Sequence, residues 1–218
     1  MPDDRVLDAL QTVYSQNMGE GRRGTKPGAF HSTCVASKAM GVIFGTAKKA
    51  TLVPVKLGLP FFAALMAAFR IIAEDVENNN RQRKAVVMFS MGGRPLPRSY
   101  NVEDRGSAEV MTIRQAIERL VSLGVPIVTS SGNHGLMTNL QGEQRTDIDT
   151  SPGVFASVYP LIVVGAVFTT GEIIPASQRG PLLTTNAVGQ SVQCLDSYGN
   201  IMIISGTSFS KFPSSYPQ

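Results

Sequence analysis

Ile203-Ile204-Ser205-Gly206-Thr207-Ser208-Phe209-Ser210 closes the last apolar run of the chain on a Gly-Thr-Ser step. Such a step can present a serine hydroxyl at the boundary of an element. Two upstream stretches carry complementary chemistry. One is Ala29-Phe30-His31-Ser32-Thr33-Cys34-Val35-Ala36-Ser37. The other is Val125-Pro126-Ile127-Val128-Thr129-Ser130-Ser131-Gly132-Asn133-His134-Gly135. A nucleophilic hydroxyl, a base and a hydrogen-bond donor for a developing oxyanion are the parts that acyl transfer requires. Ser208, His31 and Asn133 are the candidates for those three roles.

The stretches between them alternate in period. His31 to Met40 reads as a helix with the histidine at its start, and Thr51 to Leu57 as a strand weakened by Pro54. Phe62, Leu65, Met66, Phe69, Ile72 and Ala73 recur at helical spacing. Ala85-Val86-Val87-Met88-Phe89 is a continuous apolar run of the kind a buried parallel strand shows. Val110, Ile113, Ile117, Leu120 and Val121 mark a further helix, stopped by Gly124 and Pro126. Strands follow at Pro126 to Thr129 and Leu161 to Val167. Gln190 to Leu195 and Ile201 to Ile204 read as a hairpin turning at Asp196 to Asn200. Strands alternating with helices predict a parallel sheet whose ligands bind beyond the carboxyl ends of the strands. Ser90-Met91-Gly92-Gly93 and Ser130-Ser131-Gly132-Asn133 fall there.

Composition narrows the class. With 218 residues, 43% apolar and 17% charged, the chain suits one medium domain and not a disordered one. The net charge of +4 is spread over small groups such as Arg22-Arg23, Lys48-Lys49 and Arg83-Lys84. No aromatic residues interleave with them, so a nucleic-acid partner is not expected. The apolar patch from Leu57 to Ile72 is broken by Pro60 and Arg70, so no membrane span is expected either. Two histidines and no Cys-x-x-Cys leave no metal cluster to expect, and no cofactor. The N-terminus is acidic and polar, without the apolar core of a secretory signal. Cys34 and Cys194 leave a pairing open. Cys34 by itself reads as a small buried hydrophobe near His31, and His134 as a loop residue.

In this order the motifs resemble those of the subtilisin-like serine peptidases, over roughly residues 29–210. His31-Ser32-Thr33-Cys34-Val35-Ala36 resembles the family's catalytic-histidine block. Gly45 to Lys56 resembles the segment that follows it, and Ser90-Met91-Gly92-Gly93 its substrate-pairing strand. Ser131-Gly132-Asn133 resembles the block of the oxyanion asparagine, and Tyr159 to Val167 a further strand. Ser205 to Ser210 resembles the catalytic-serine block, and its Phe209-Ser210 ending together with Cys34 is most similar to fungal members. Singly, each motif has a structural role available, for Gly-Thr-Ser and Gly-Asn are common in turns. Their shared order carries the resemblance.

What the resemblance implies is a serine endopeptidase of doubly wound α/β fold, with a mostly parallel sheet and helices on both faces. Ser208 would be the nucleophile, His31 the base and Asn133 the oxyanion donor. Ser90, Met91, Gly92 and Gly132 would bind an extended peptide by strand addition. Peptides or proteins would be the partners, and secretion the location. The sequence departs from the family in three places. Residues 1–30 contain no apolar strand ending in the triad aspartate. Ser32 replaces the glycine after the histidine. Residues 211–218 do not continue the serine helix. The expected division is therefore a non-matching segment 1–30, a peptidase-like domain 31–210 and a non-matching tail 211–218. That fold lacks its first strand and last helix, and its activity is expected near background. The alternative is a catalytically dead relative that serves as a binding or interaction module.

Overall fold

The computed structural model describes residues 27–55, 61–90, 108–139 and 142–212. Its centre is a four-stranded, all-parallel sheet in the order β1-β2-β3-β4. The strands are β1 (Val87–Phe89), β2 (Ile127–Ser130), β3 (Ile162–Val167) and β4 (Thr185–Val188). Val87 pairs with Ile127, Val128 with Ile162 and Val164 with Thr185. The buried β-branched side chains of Ile127 and Val163 suit these central strands.

Two amphipathic helices, α2 (Phe61–Asn78) and α3 (Ala108–Ser122), lie together over one face of the sheet. Leu65, Phe69, Ala73 and Val76 of α2 meet Val110, Ile113, Ile117 and Leu120 of α3. Under them lie Val87, Phe89, Ile127 and Val163 from the strands. The i, i+3, i+4 spacing legible in the sequence is the stripe that this core buries. Arg119 of α3 joins Glu77 of α2 at the rim, its Nε and Nη2 each donating to one carboxylate oxygen. Gly124, at φ +69°, ends α3 and returns the chain to β2.

A second, smaller core lies apart from the first. It holds Cys34 of α1 (Pro27–Met40), Val192 and Cys194 of β5 (Val192–Leu195), and Phe209. β5 pairs antiparallel with β6 (Ile201–Ile204) around the turn at Asp196 to Asn200, as the sequence indicates. Cys34 and Cys194 form a disulfide with Cα atoms 5.0 Å apart, linking positions 160 residues distant in sequence. Ser37, one turn past Cys34, donates to Cys34 O and accepts from the backbone N–H of Leu195 at 3.0 Å. α1 is thus fastened to the hairpin that leads into Ser208.

Some elements differ from expectation. α1 begins at Pro27, so His31 lies in its second turn and not at its start. Pro at the first helical position is favoured because its missing N–H is not needed there. Thr51 to Val55 is irregular and exposed to half-buried instead of a strand. Pro54 has no ladder donor, and Val53 is 46% exposed, so neither pairing nor burial supports a strand. Residues 56–60 lie outside the described residues. Strand β4 and the 3₁₀ turn Gly153–Ser157 were not expected. Cys34 is buried as expected, but as half of a disulfide.

Candidate active site

Ser208 lies just past β6 in a tight turn. Phe209 N–H donates to Gly206 O at 3.1 Å and Ser210 Oγ to Thr207 O at 2.9 Å, closing the turn around the serine. Gly206 makes the entry. Its φ is +148°, and a Cβ there would meet the Asn133 side chain at 3.4 Å. Glycine tolerates both the conformation and the close approach. Ser208 is 6% exposed. Its hydroxyl donates to Ser90 O at 2.9 Å, and Ser90 Oγ lies 3.5 Å from Ser208 O. Ser90 directly follows β1, so the serine turn is tied to the carboxyl end of a central strand across 118 residues.

Asn133 follows β2 at the same edge. Its Oδ1 accepts from the N–H of Thr207 at 2.9 Å and from Thr207 Oγ1 at 3.0 Å. With the carbonyl oxygen doubly engaged, the amide nitrogen is the end left to face outward, and Asn133 is exposed. That is the polarity an oxyanion donor needs. Gly132, before it, has φ +110°, and an added Cβ would collide with Gln178 Oε1. Gln178 is fully buried and holds the neighbouring loop by donating to Arg145 O and to Asp149 Oδ1. Asp149 in turn pairs with Arg145, whose Nη2 lies 3.4 Å from His134 Nδ1. His134 is a half-buried loop residue joined to this network.

His31 reaches the same place from α1. Its ring lies 5.3 Å, centroid to centroid, from the ring of Phe209, tilted by 59°. Burial, and then the positive charge of Lys211, hold the imidazole below its ordinary 6.5. Both causes disfavour the cation. The sequence leads one to expect the Ser208 hydroxyl turned toward His31. In the structure it is turned to Ser90 O. Of the expected residues, Ser208, Ser90, Asn133 and His31 therefore gather around the Gly206-to-Phe209 turn, with Gly132 beside Asn133. Met91 and Gly92 lie outside the described residues.

Two participants were missed. Thr207 orients the Asn133 amide, and Lys211 places its ammonium on Phe89 O at 2.6 Å. The buried Lys211 amine titrates well below its ordinary value. A lysine three residues after the candidate serine was the available sequence signal. Among the described residues there is no cluster of three or more His, Cys, Asp or Glu able to hold a metal. No described helix is long and apolar enough to cross a membrane.

The family model described as "Subtilase family" (Peptidase S8) matches residues 8–210. Among curated relatives, "Subtilisin-like protease 2" of Pseudogymnoascus destructans is 29% identical over 184 residues. That alignment covers 82% of this chain and 38% of the relative. "Proteinase T" of Parengyodontium album is 28% identical over 182 residues, covering 82% of this chain and 53% of the relative. This chain thus spans between about a third and a half of the length of such relatives. Among solved structures, a cold adapted subtilisin-like serine proteinase superposes with a TM-score of 0.60 at 22% identity, covering 83% of this chain and 56% of that one. "Sphericase" superposes with a TM-score of 0.62 at 23% identity, covering 83% and 59%. At those identities the likeness concerns the fold.

Proposed function

The chain belongs to the subtilase family, and from that premise we propose that it is built for serine-type peptide-bond hydrolysis, with Ser208 as nucleophile. The observation that carries the reading is the meeting of Ser208, Asn133 and His31 around one turn at the carboxyl edge of a parallel sheet. Ser208 Oγ would leave Ser90 O by rotation about its Cα–Cβ bond and attack the peptide carbonyl. His31 would accept its proton and later return it to the leaving amine. The Asn133 amide nitrogen would hold the oxyanion, while Ser90, Met91, Gly92 and Gly132 pair with an extended peptide. Removing one oxyanion donor costs about 100- to 1,000-fold in turnover, a magnitude that comes from subtilisin itself and not from this chain.

The sequence of residues 1–30 contains neither Asp-Thr-Gly nor Asp-Ser-Gly. Without an orienting acid, turnover falls about 10,000-fold in serine peptidases of this mechanism, so we expect this chain by itself to turn over peptides near background. Ser208 bonding to Ser90 O and not to His31 favours the second reading, a subtilase domain that binds peptides without cleaving them. Hydrolysis of a fluorogenic peptide library, with Ser208→Ala as control, separates the two. Turnover that disappears in the variant supports the peptidase. Peptide binding unchanged in the variant, with no turnover in either protein, supports the binding module. The disulfide between Cys34 and Cys194 suits an oxidising compartment, which supports secretion as the site of action.

A further inference from the structure

The serine turn carries a second group able to take a proton. Ser208 and Lys211 are three residues apart on the turn that follows β6. Their functional atoms are anchored on consecutive carbonyls. Ser208 Oγ bonds Ser90 O at 2.9 Å, and Lys211 Nζ bonds Phe89 O at 2.6 Å. Both side chains thus close on the same strand end, and the Lys211 charge is felt at His31. Lys211 is partly buried, with its Nζ held on Phe89 O. Among the described residues no carboxylate forms an ion pair with it.

We propose that Lys211 is a second proton acceptor for Ser208, working beside His31 at the same nucleophile. The proposal rests on the reading of Ser208 as nucleophile. Ser-x-x-Lys is the spacing with which penicillin-recognising enzymes set a lysine beside a nucleophilic serine, and Ser208-Phe209-Ser210-Lys211 has it. In the step, the Ser208 Oγ–H proton passes to the lone pair of the neutral Lys211 amine as Oγ bonds the acyl carbon. The carbonyl π pair moves onto the oxygen beside Asn133. The Lys211 ammonium then returns a proton to the amine nitrogen as the C–N bond breaks. Burial populates the neutral amine, the form a base requires, at lower pH than for an ordinary lysine. The titratable group that faces it from α1 is His31, which its charge makes harder to protonate. One proton on either base therefore opposes a second on the other.

The test is the rate at which a fluorophosphonate probe labels Ser208 in the full chain, read by mass spectrometry from about pH 6 to about pH 10. His31→Ala, with His31→Gln as a second variant, isolates the lysine. Adding Lys211→Arg keeps a cation and a donor for Phe89 O but removes the acceptor. Each protein is first required to melt cooperatively. We expect His31→Ala to keep a labelling rate that climbs with pH and levels off below the ordinary lysine value of 10.5. Lys211→Arg in that background should lower the plateau about 100-fold or more. Equal rates and equal pH profiles with and without Lys211→Arg overturn the proposal and leave Ser208 standing as nucleophile. No labelling of Ser208 in the unaltered chain overturns both.

Discussion

Replacing Cys34 and Cys194 together by alanine should cost this fold a large part of its stability. The disulfide closes a loop of 160 residues. The chain-entropy relation for cross-links gives about 5 kcal/mol for a loop of that length at room temperature. Domains of this kind have a total stability of about 5–15 kcal/mol, so the loss is comparable with the whole. The consequence is also local. Cys34 sits one helical turn after His31, and Cys194 sits on the strand whose partner runs directly into Ser208. Ser37 keeps its bond to Leu195 in the variant, but one hydrogen bond worth about 1 kcal/mol does not replace the cross-link. The assay is guanidinium unfolding followed by circular dichroism, with and without reductant. With a slope of about 5 kcal/mol per molar, the midpoint should fall by about 1 M. The unaltered chain should show no free thiols until reduced. A midpoint shift below about 0.2 M, or free thiols in the unreduced protein, would refute the reasoning.

Three further outcomes are expected. Gly132→Ala forces a side chain at φ +110° against buried Gln178, so the melting temperature should drop, by roughly 5 °C for each 2 kcal/mol lost; calorimetry reads it. Thr207→Val removes one of the two bonds that hold Asn133 Oδ1, and should slow Ser208 labelling about tenfold while leaving the melting temperature nearly unchanged. His31 is depressed below 6.5 by burial and by Lys211. The unfolded chain thus binds that proton more readily. Its contribution to stability is complete above about pH 6.5 and shrinks as the pH falls through the lowered value. His31→Phe should flatten that part of a stability–pH curve measured by chemical unfolding.

Much of this arrangement was legible in the residues themselves. Helical stripes in α2 and α3, and the apolar runs of β1, β2 and β3, are local signals that the core simply uses. The hairpin was equally readable, because the turn at Asp196 to Asn200 separates two apolar runs. Strand β4 was not, since Thr185-Asn186-Ala187-Val188 has no alternation and is exposed to half-buried. It exists through pairing with β3, which is a non-local cause. Thr51 to Val55 had the composition of a strand and no partner to make it one. The cross-link between Cys34 and Cys194 depends on two cores' worth of intervening chain, and spacing alone cannot give it. At the site, residue types and their order named His31, Asn133, Ser90 and Ser208. Hydrogen-bond direction was out of reach: that Ser208 turns to Ser90 O, and that Thr207 orients Asn133, follow from backbone positions set far away.

Whether His31 and Ser208 work as one site is tested most directly by a peptidyl chloromethyl ketone, which is drawn to an active serine and then alkylates the imidazole beside it. Peptide mapping after incubation should find one adduct, on His31, formed by displacement of chloride by a ring nitrogen. The same adduct should be absent from Ser208→Ala. Alkylation of His134 in place of His31, or a His31 adduct that forms equally well in Ser208→Ala, would contradict a shared site.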